Sequence, residues 1–129
     1  MKLPDYPKWC PHIRKDRGNT IHIYDPIFKG NFYFFLGQTF KQYRGNYKSI
    51  FGIYPEANSG VSGFFSVETV KGDTDIGCIY SDDKGSTLMH ECIHATIWIL
   101  NKRGITVNSD TDEIVAYYQE FLVKWATKK

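Results

Sequence analysis

The sequence predicts an α+β fold, and three observations carry the prediction. Aromatic residues make up 16% of the chain and crowd its first half, where Tyr and Phe fit pleated, half-buried surfaces. GFFSVETV (63–70) and DIGCIYSD (75–82) are strand-like runs separated by KGDT, the pattern of an antiparallel hairpin. From Ser86 onward the apolar period becomes that of two helices, which close the sequence.

The elements follow in order. Residues 1–19 hold Pro4, Pro7 and Pro11, several charges and an RGN turn, and read as an irregular arm that wraps the domain. TIHIYD (20–25) alternates and is β-branched, a short strand ended by Pro26. NFYFFLG (31–37) is a run of apolar aromatics that fits a strand or the start of a helix. In 38–51, Phe40, Tyr43, Tyr47 and Phe51 have helical spacing, yet Gly45 interrupts them. TLMHECIHATIWILNKRG is a helix of about 16 residues, with Ser86 or Thr87 as N-cap and Lys102, Arg103 and Gly104 as stop signals. DEIVAYYQEFLVKW is a second helix, whose apolar stripe is Ile114, Tyr118, Phe121, Leu122 and Trp125. Asp110 is placed to cap it, with Glu113 three residues on as its capping-box partner.

A length of 129 residues fits a single domain, 1–129, able to build a core without staples. With 42% apolar and 23% charged residues the composition is that of a globular protein. A net charge of +2 predicts neither nucleic-acid nor membrane binding, although the first fifty residues are more basic. Three cysteines, Cys10, Cys78 and Cys92, do not make a disulfide framework, and none pair at C-x-x-C spacing. The N-terminal residues have no apolar run resembling a secretory signal, and no stretch is long enough to cross a bilayer. A cytoplasmic protein is the expectation.

His90-Glu91-Cys92-Ile93-His94 is an H-E-x-x-H motif on the first of the two helices. Residues four apart share a helical face, so two imidazoles can converge on one tetrahedral ion. Such an ion, zinc by ligand type, polarises a water and a carbonyl, and Glu91 is placed to take the water's proton. Shuffling this composition would produce the motif in roughly one case in two hundred. The rest of the helix is apolar nearly all round, which predicts burial, and a carboxylate buried between two histidines is costly unless something is bound there. Cys92 faces away from the histidines, towards Leu88 and Ile99, as a small hydrophobe.

A catalytic zinc usually takes three protein ligands. Glu113 is the favoured third. The helix carries the chain ~10 Å beyond His94, and residues 105–112 can span up to ~26 Å, enough to return Glu113 level with the histidines. A plain capping or solvent-facing role for Glu113 stays open, as do Asp110, Asp112, His22 and His12 as ligands. Cys10 and His12, beside Trp9, read as ordinary arm residues, and Asp82 and Asp83 as turn residues leading into the helix.

HECIHAT, followed eighteen residues after His94 by DEIVAYYQ, resembles the gluzincin branch of zinc metallopeptidases. More narrowly, it is similar to short H-E-x-x-H proteins of phages and bacteria, with Asp112, Glu113, Ala116 and Tyr117 matching their second helix. The resemblance covers residues 86–124. It implies a minimal zincin, a small antiparallel sheet packed on two long C-terminal helices, with zinc at His90, His94 and Glu113. It implies a hydrolase of a peptide or protein substrate, bound as an added strand at a sheet edge near the metal. The residue that would stabilise the oxyanion is not evident; Tyr117 and Tyr80 are candidates. Two other readings stand beside it. One is a non-catalytic, zinc-stabilised protein-binding module; the other is nucleic-acid binding through the basic, aromatic first half.

Overall fold

Strands β1 (Arg14–Asp16), β2 (Thr20–Asp25), β3 (Gly30–Leu36), β4 (Gly63–Val67) and β5 (Asp75–Ser81) form one sheet, ordered β1-β2-β3-β5-β4. Helices α1 (Phe40–Phe51), α2 (Gly85–Lys102) and α3 (Asp112–Ala126) complete an α+β architecture in which α2 and α3 pack on the sheet. The computed structural model describes residues 14–16, 20–55, 63–67, 75–81 and 85–127. Trp9, Cys10, His12, Asp82 and Asp83 lie outside the described residues. Of the arm expected over 1–19, Arg14–Asp16 are a strand, paired with β2 through Arg14↔His22 and Asp16↔Thr20.

The sheet is mixed rather than wholly antiparallel. β1–β2, β2–β3 and the β4–β5 hairpin are antiparallel, but β3 and β5 run parallel, from Gly30↔Asp75 to Leu36↔Ser81. Parallel neighbours need a long crossover, and the chain between β3 and β5 supplies one by way of α1 and β4. That crossover explains the run NFYFFLG, whose lack of alternation left it ambiguous. β3 is buried on both faces, and such strands read as continuous apolar runs. Phe32, Phe34 and Leu36 pack in the core beneath α2 and α3, while Tyr33 and Phe35 pack against Tyr43 and Tyr47 of α1.

Helix α1 forms despite Gly45. Thr39 and Gln42 make a reciprocal capping box, and Gly52 (φ 81°) ends the helix in the left-handed region. Gly45 is exposed with open space where its side chain would be, so its cost is limited to helix propensity.

Helix α2 starts at Gly85, so Ser86 and Thr87 sit inside its first turn rather than capping it. It stops where the sequence indicated: Gly104 has φ 77° and Ile105 N–H donates to the Leu100 carbonyl at 2.9 Å, a Schellman closure.

The start of α3 differs from the capping box expected of Asp110 and Glu113. Thr111 is the N-cap residue and makes no side-chain cap bond. Its hydroxyl is used within the loop, donating to the Thr106 carbonyl at 2.6 Å and accepting from Asn108 N–H at 2.9 Å. Ile114, expected in the buried stripe, is exposed; in the first turn it is Val115 that packs against the core, and full burial begins at Tyr118.

Candidate metal centre

Helix α2 lays Leu88, Cys92, Ala95 and Ile99 on the sheet, all of them buried. Its outer face is open to solvent, contrary to the expectation of an all-round buried helix. Met89, His90 and His94 are exposed, while Ile93, Ile97 and Trp98 are half-buried. Among the described residues the sheet and α3 cover two sides of α2, and the side carrying His90 and His94 is exposed.

On that exposed side the two imidazoles meet. His90 Nε2 and His94 Nε2 are 3.3 Å apart, with ring centroids 4.9 Å apart and planes at 75°. Zinc–nitrogen bonds of about 2.0–2.1 Å at the tetrahedral angle place two nitrogens ~3.3–3.4 Å apart. The separation therefore matches that of two nitrogens on one ion, and the two rings are within hydrogen-bond distance of each other. Glu91 completes the cluster: the three ligand atoms all lie within 4.8 Å of one another, and Glu91 is only 6% exposed. The two imidazoles can ligate a metal ion, and the neighbouring Glu91 carboxylate can act as a further donor or as a base.

Glu91 lies two turns before Trp98, on the same stripe of α2, and Trp98 packs on Phe64 of β4 with centroids 5.4 Å apart. Glu91 thus faces the β4 side of the helix. Its carboxylate also acts on Cys92, whose thiol is pushed up to about 12, first by burial and then by that charge. Cys92 is fully buried among Leu88 and Ile99, as the sequence indicated.

Glu113 is not among the residues the structure draws into the cluster. It sits exposed in the first turn of α3, and among the described residues it makes no hydrogen bond or ion pair. Helices α2 and α3 are joined near the cluster by Gln119, whose side-chain amide donates to the Met89 carbonyl at 3.1 Å. From there Glu113 is six residues back along α3 and His94 five residues forward along α2. At ~1.5 Å per residue, Glu113 is ~9 Å back along α3 and His94 ~7.5 Å forward along α2 from that bond, displacements of similar length. Neither Gln119 nor Met89 stood out in the sequence, because a side chain bonded to a helical carbonyl leaves no motif.

The other site residues go elsewhere. Tyr117 is exposed and lines a groove of about 440 Å³ with Ile27 and Phe28, on a different face of α3 from Ala116, Gln119 and Val123, which border Met89. The Tyr80 hydroxyl donates to the Gln38 carbonyl at 3.2 Å, and its ring stacks on Tyr43 of α1, across the sheet from α2. His22 is held in the sheet, with Nε2 2.8 Å from Asn31 Oδ1 and its ring stacked on Tyr33. Asp110 and Asp112 are exposed and, like His22, do not join the cluster.

Comparison with protein-family models, curated proteins and solved structures returns no match for this chain. What stands is an α+β domain carrying a His90–Glu91–His94 cluster able to hold a metal ion. No helix among the described residues is long and apolar enough to cross a membrane.

Proposed function

We propose that this protein is a zinc-dependent metallopeptidase-like hydrolase, with His90, His94 and Glu113 as metal ligands and Glu91 as general base. The observation that carries the reading is the chelating separation of the two imidazoles beside a buried carboxylate. Zinc bound there would lower the pKa of a water and polarise a carbonyl. Glu91 accepts the proton of the attacking water and delivers it to the departing amine nitrogen. Its burial favours that exchange by keeping bulk water from the carboxylate.

Substrate recognition follows from the sheet. Among the described strands β4 is an edge strand, bonded only to β5, and α2 packs against it. An extended peptide adding to its free edge would lie on the side of α2 that carries Glu91. The free, buried state of Cys78 and Cys92 agrees with a cytoplasmic, reducing compartment.

Glu91→Gln tests the mechanism, since it preserves shape and hydrogen bonding while removing the base. The zinc-loaded variant should keep its metal and lose peptide hydrolysis; full activity would overturn the assignment. The alternative, a zinc-stabilised module that binds a protein without cleaving it, is favoured by one observation: both tyrosines considered as oxyanion donors are directed away from the cluster. Metal-loaded protein inert towards peptide libraries would support that alternative.

A further inference from the structure

In the first turn of α3, which carries Glu113, the half-buried Val115 is the residue that packs against the core. Asp112, Glu113, Ile114, Ala116 and Tyr117 are exposed, and the cap makes no side-chain bond. The position of this turn therefore rests on Val115 and on the next turn. Two consecutive residues there tie α3 in different directions. The buried Tyr118 hydroxyl donates to Asp25 of β2 at 2.6 Å, fixing the helix to the sheet. Gln119 donates to the Met89 carbonyl at 3.1 Å, fixing it to α2 one residue before His90. Elsewhere α2 and α3 meet through apolar packing: Leu88, Cys92 and Ala95 share one buried core with Phe121, Leu122 and Trp125, and Met89, Ala116 and Val123 border a groove beside it. That packing sets how the two helices lie together, and the Gln119 bond adds a directional polar tie between them next to His90.

We propose that Gln119 is the positioning residue of the metal centre: its bond to Met89 holds Glu113 at the height of His94. This rests on the zinc-site reading above and goes beyond it by naming what sets the third ligand. Partners outside the coordination shell commonly change metal affinity 10–100-fold. Removing the Gln119 donor should leave His90 and His94 in place on α2 while the carboxylate is no longer held opposite them.

The test uses the full chain reconstituted with Co²⁺, whose visible spectrum reports the ligand set, together with Zn²⁺ affinity by chelator competition. The variants are Gln119→Leu, Gln119→Glu and Glu113→Gln. Gln119→Leu and Gln119→Glu, both without the amide donor, should weaken Zn²⁺ binding at least 10-fold. They should also move the Co²⁺ spectrum towards that of Glu113→Gln, with the metal-free melting temperature within a few degrees of wild type. A Gln119→Leu protein that melts much earlier yet binds Zn²⁺ with wild-type affinity and spectrum would make Gln119 merely structural and overturn the proposal. Wild type that binds neither metal would overturn the zinc-site reading and the clamp together. Wild type that binds both, with all three variants unchanged, would overturn the clamp and Glu113 as ligand but leave the histidine pair.

Discussion

His90 and His94 present their Nε2 atoms to each other at 3.3 Å on the solvent side of α2, one helical turn apart. Helical spacing brings the two side chains onto one face and their rotamers bring the nitrogens together, so metal binding needs no refolding of the helix. Elemental analysis of purified wild type should find about one zinc per chain, with His90→Ala losing it. Glu113→Ala should lose it or bind far more weakly. Metal retained at full stoichiometry in Glu113→Ala would move the third ligand away from that residue. Saturating zinc should raise the melting temperature of wild type and not of His90→Ala, because only the folded state binds.

Glu91→Gln separates binding from turnover. With zinc bound at wild-type stoichiometry, peptide hydrolysis should fall by at least 10²-fold, within the range for removing a general base. Equal loss of metal and activity would instead make Glu91 a ligand.

Tyr118→Phe tests the tie between α3 and the sheet. Asp25 is fully buried and accepts from the Tyr118 hydroxyl and from the backbone N–H groups of Ile27 and Phe28. Losing one donor to a buried carboxylate should cost about 1–3 kcal/mol, read as a lower urea midpoint with unchanged slope. An unchanged midpoint would show that water replaces the hydroxyl.

The buried thiols give a pH signature. Burial holds Cys78 well above its ordinary value of 9.0 and is the larger cause of the rise of Cys92 to about 12. Each thiol ionises more readily in the unfolded chain. Their contribution to stability is therefore complete below pH 9 and is lost as pH rises from about 9 towards 12. In a Cys10→Ser background, native protein at pH 8 should react with a thiol reagent only on the timescale of unfolding. Rapid modification of either cysteine would show that the core under α2 opens.

Much of the fold was legible because its signals are local. The period of Leu88, Cys92, Ala95 and Ile99 defines α2, the KGDT break defines the β4–β5 hairpin, and Gly104 marks the end of α2. The ambiguity over 31–51 came from the same source: a strand covered on both faces loses its alternation, and Gly45 obscured a helix whose cap lies in Thr39 and Gln42. The parallel pairing of β3 with β5 was not legible, since no residue in either strand records the direction of a neighbour brought up by a distant crossover.

For the candidate site the division is similar. By itself the sequence determined that two imidazoles and a carboxylate share one stretch of helix, because helical spacing converts i and i+4 into neighbours on one face. Tertiary structure decided the rest: that this face is open to solvent, that Tyr80 and Tyr117 lie elsewhere, and that Gln119 of α3 reaches the Met89 carbonyl of α2. Those outcomes depend on how separate elements pack, and packing is a property of surfaces that meet only once the chain has folded.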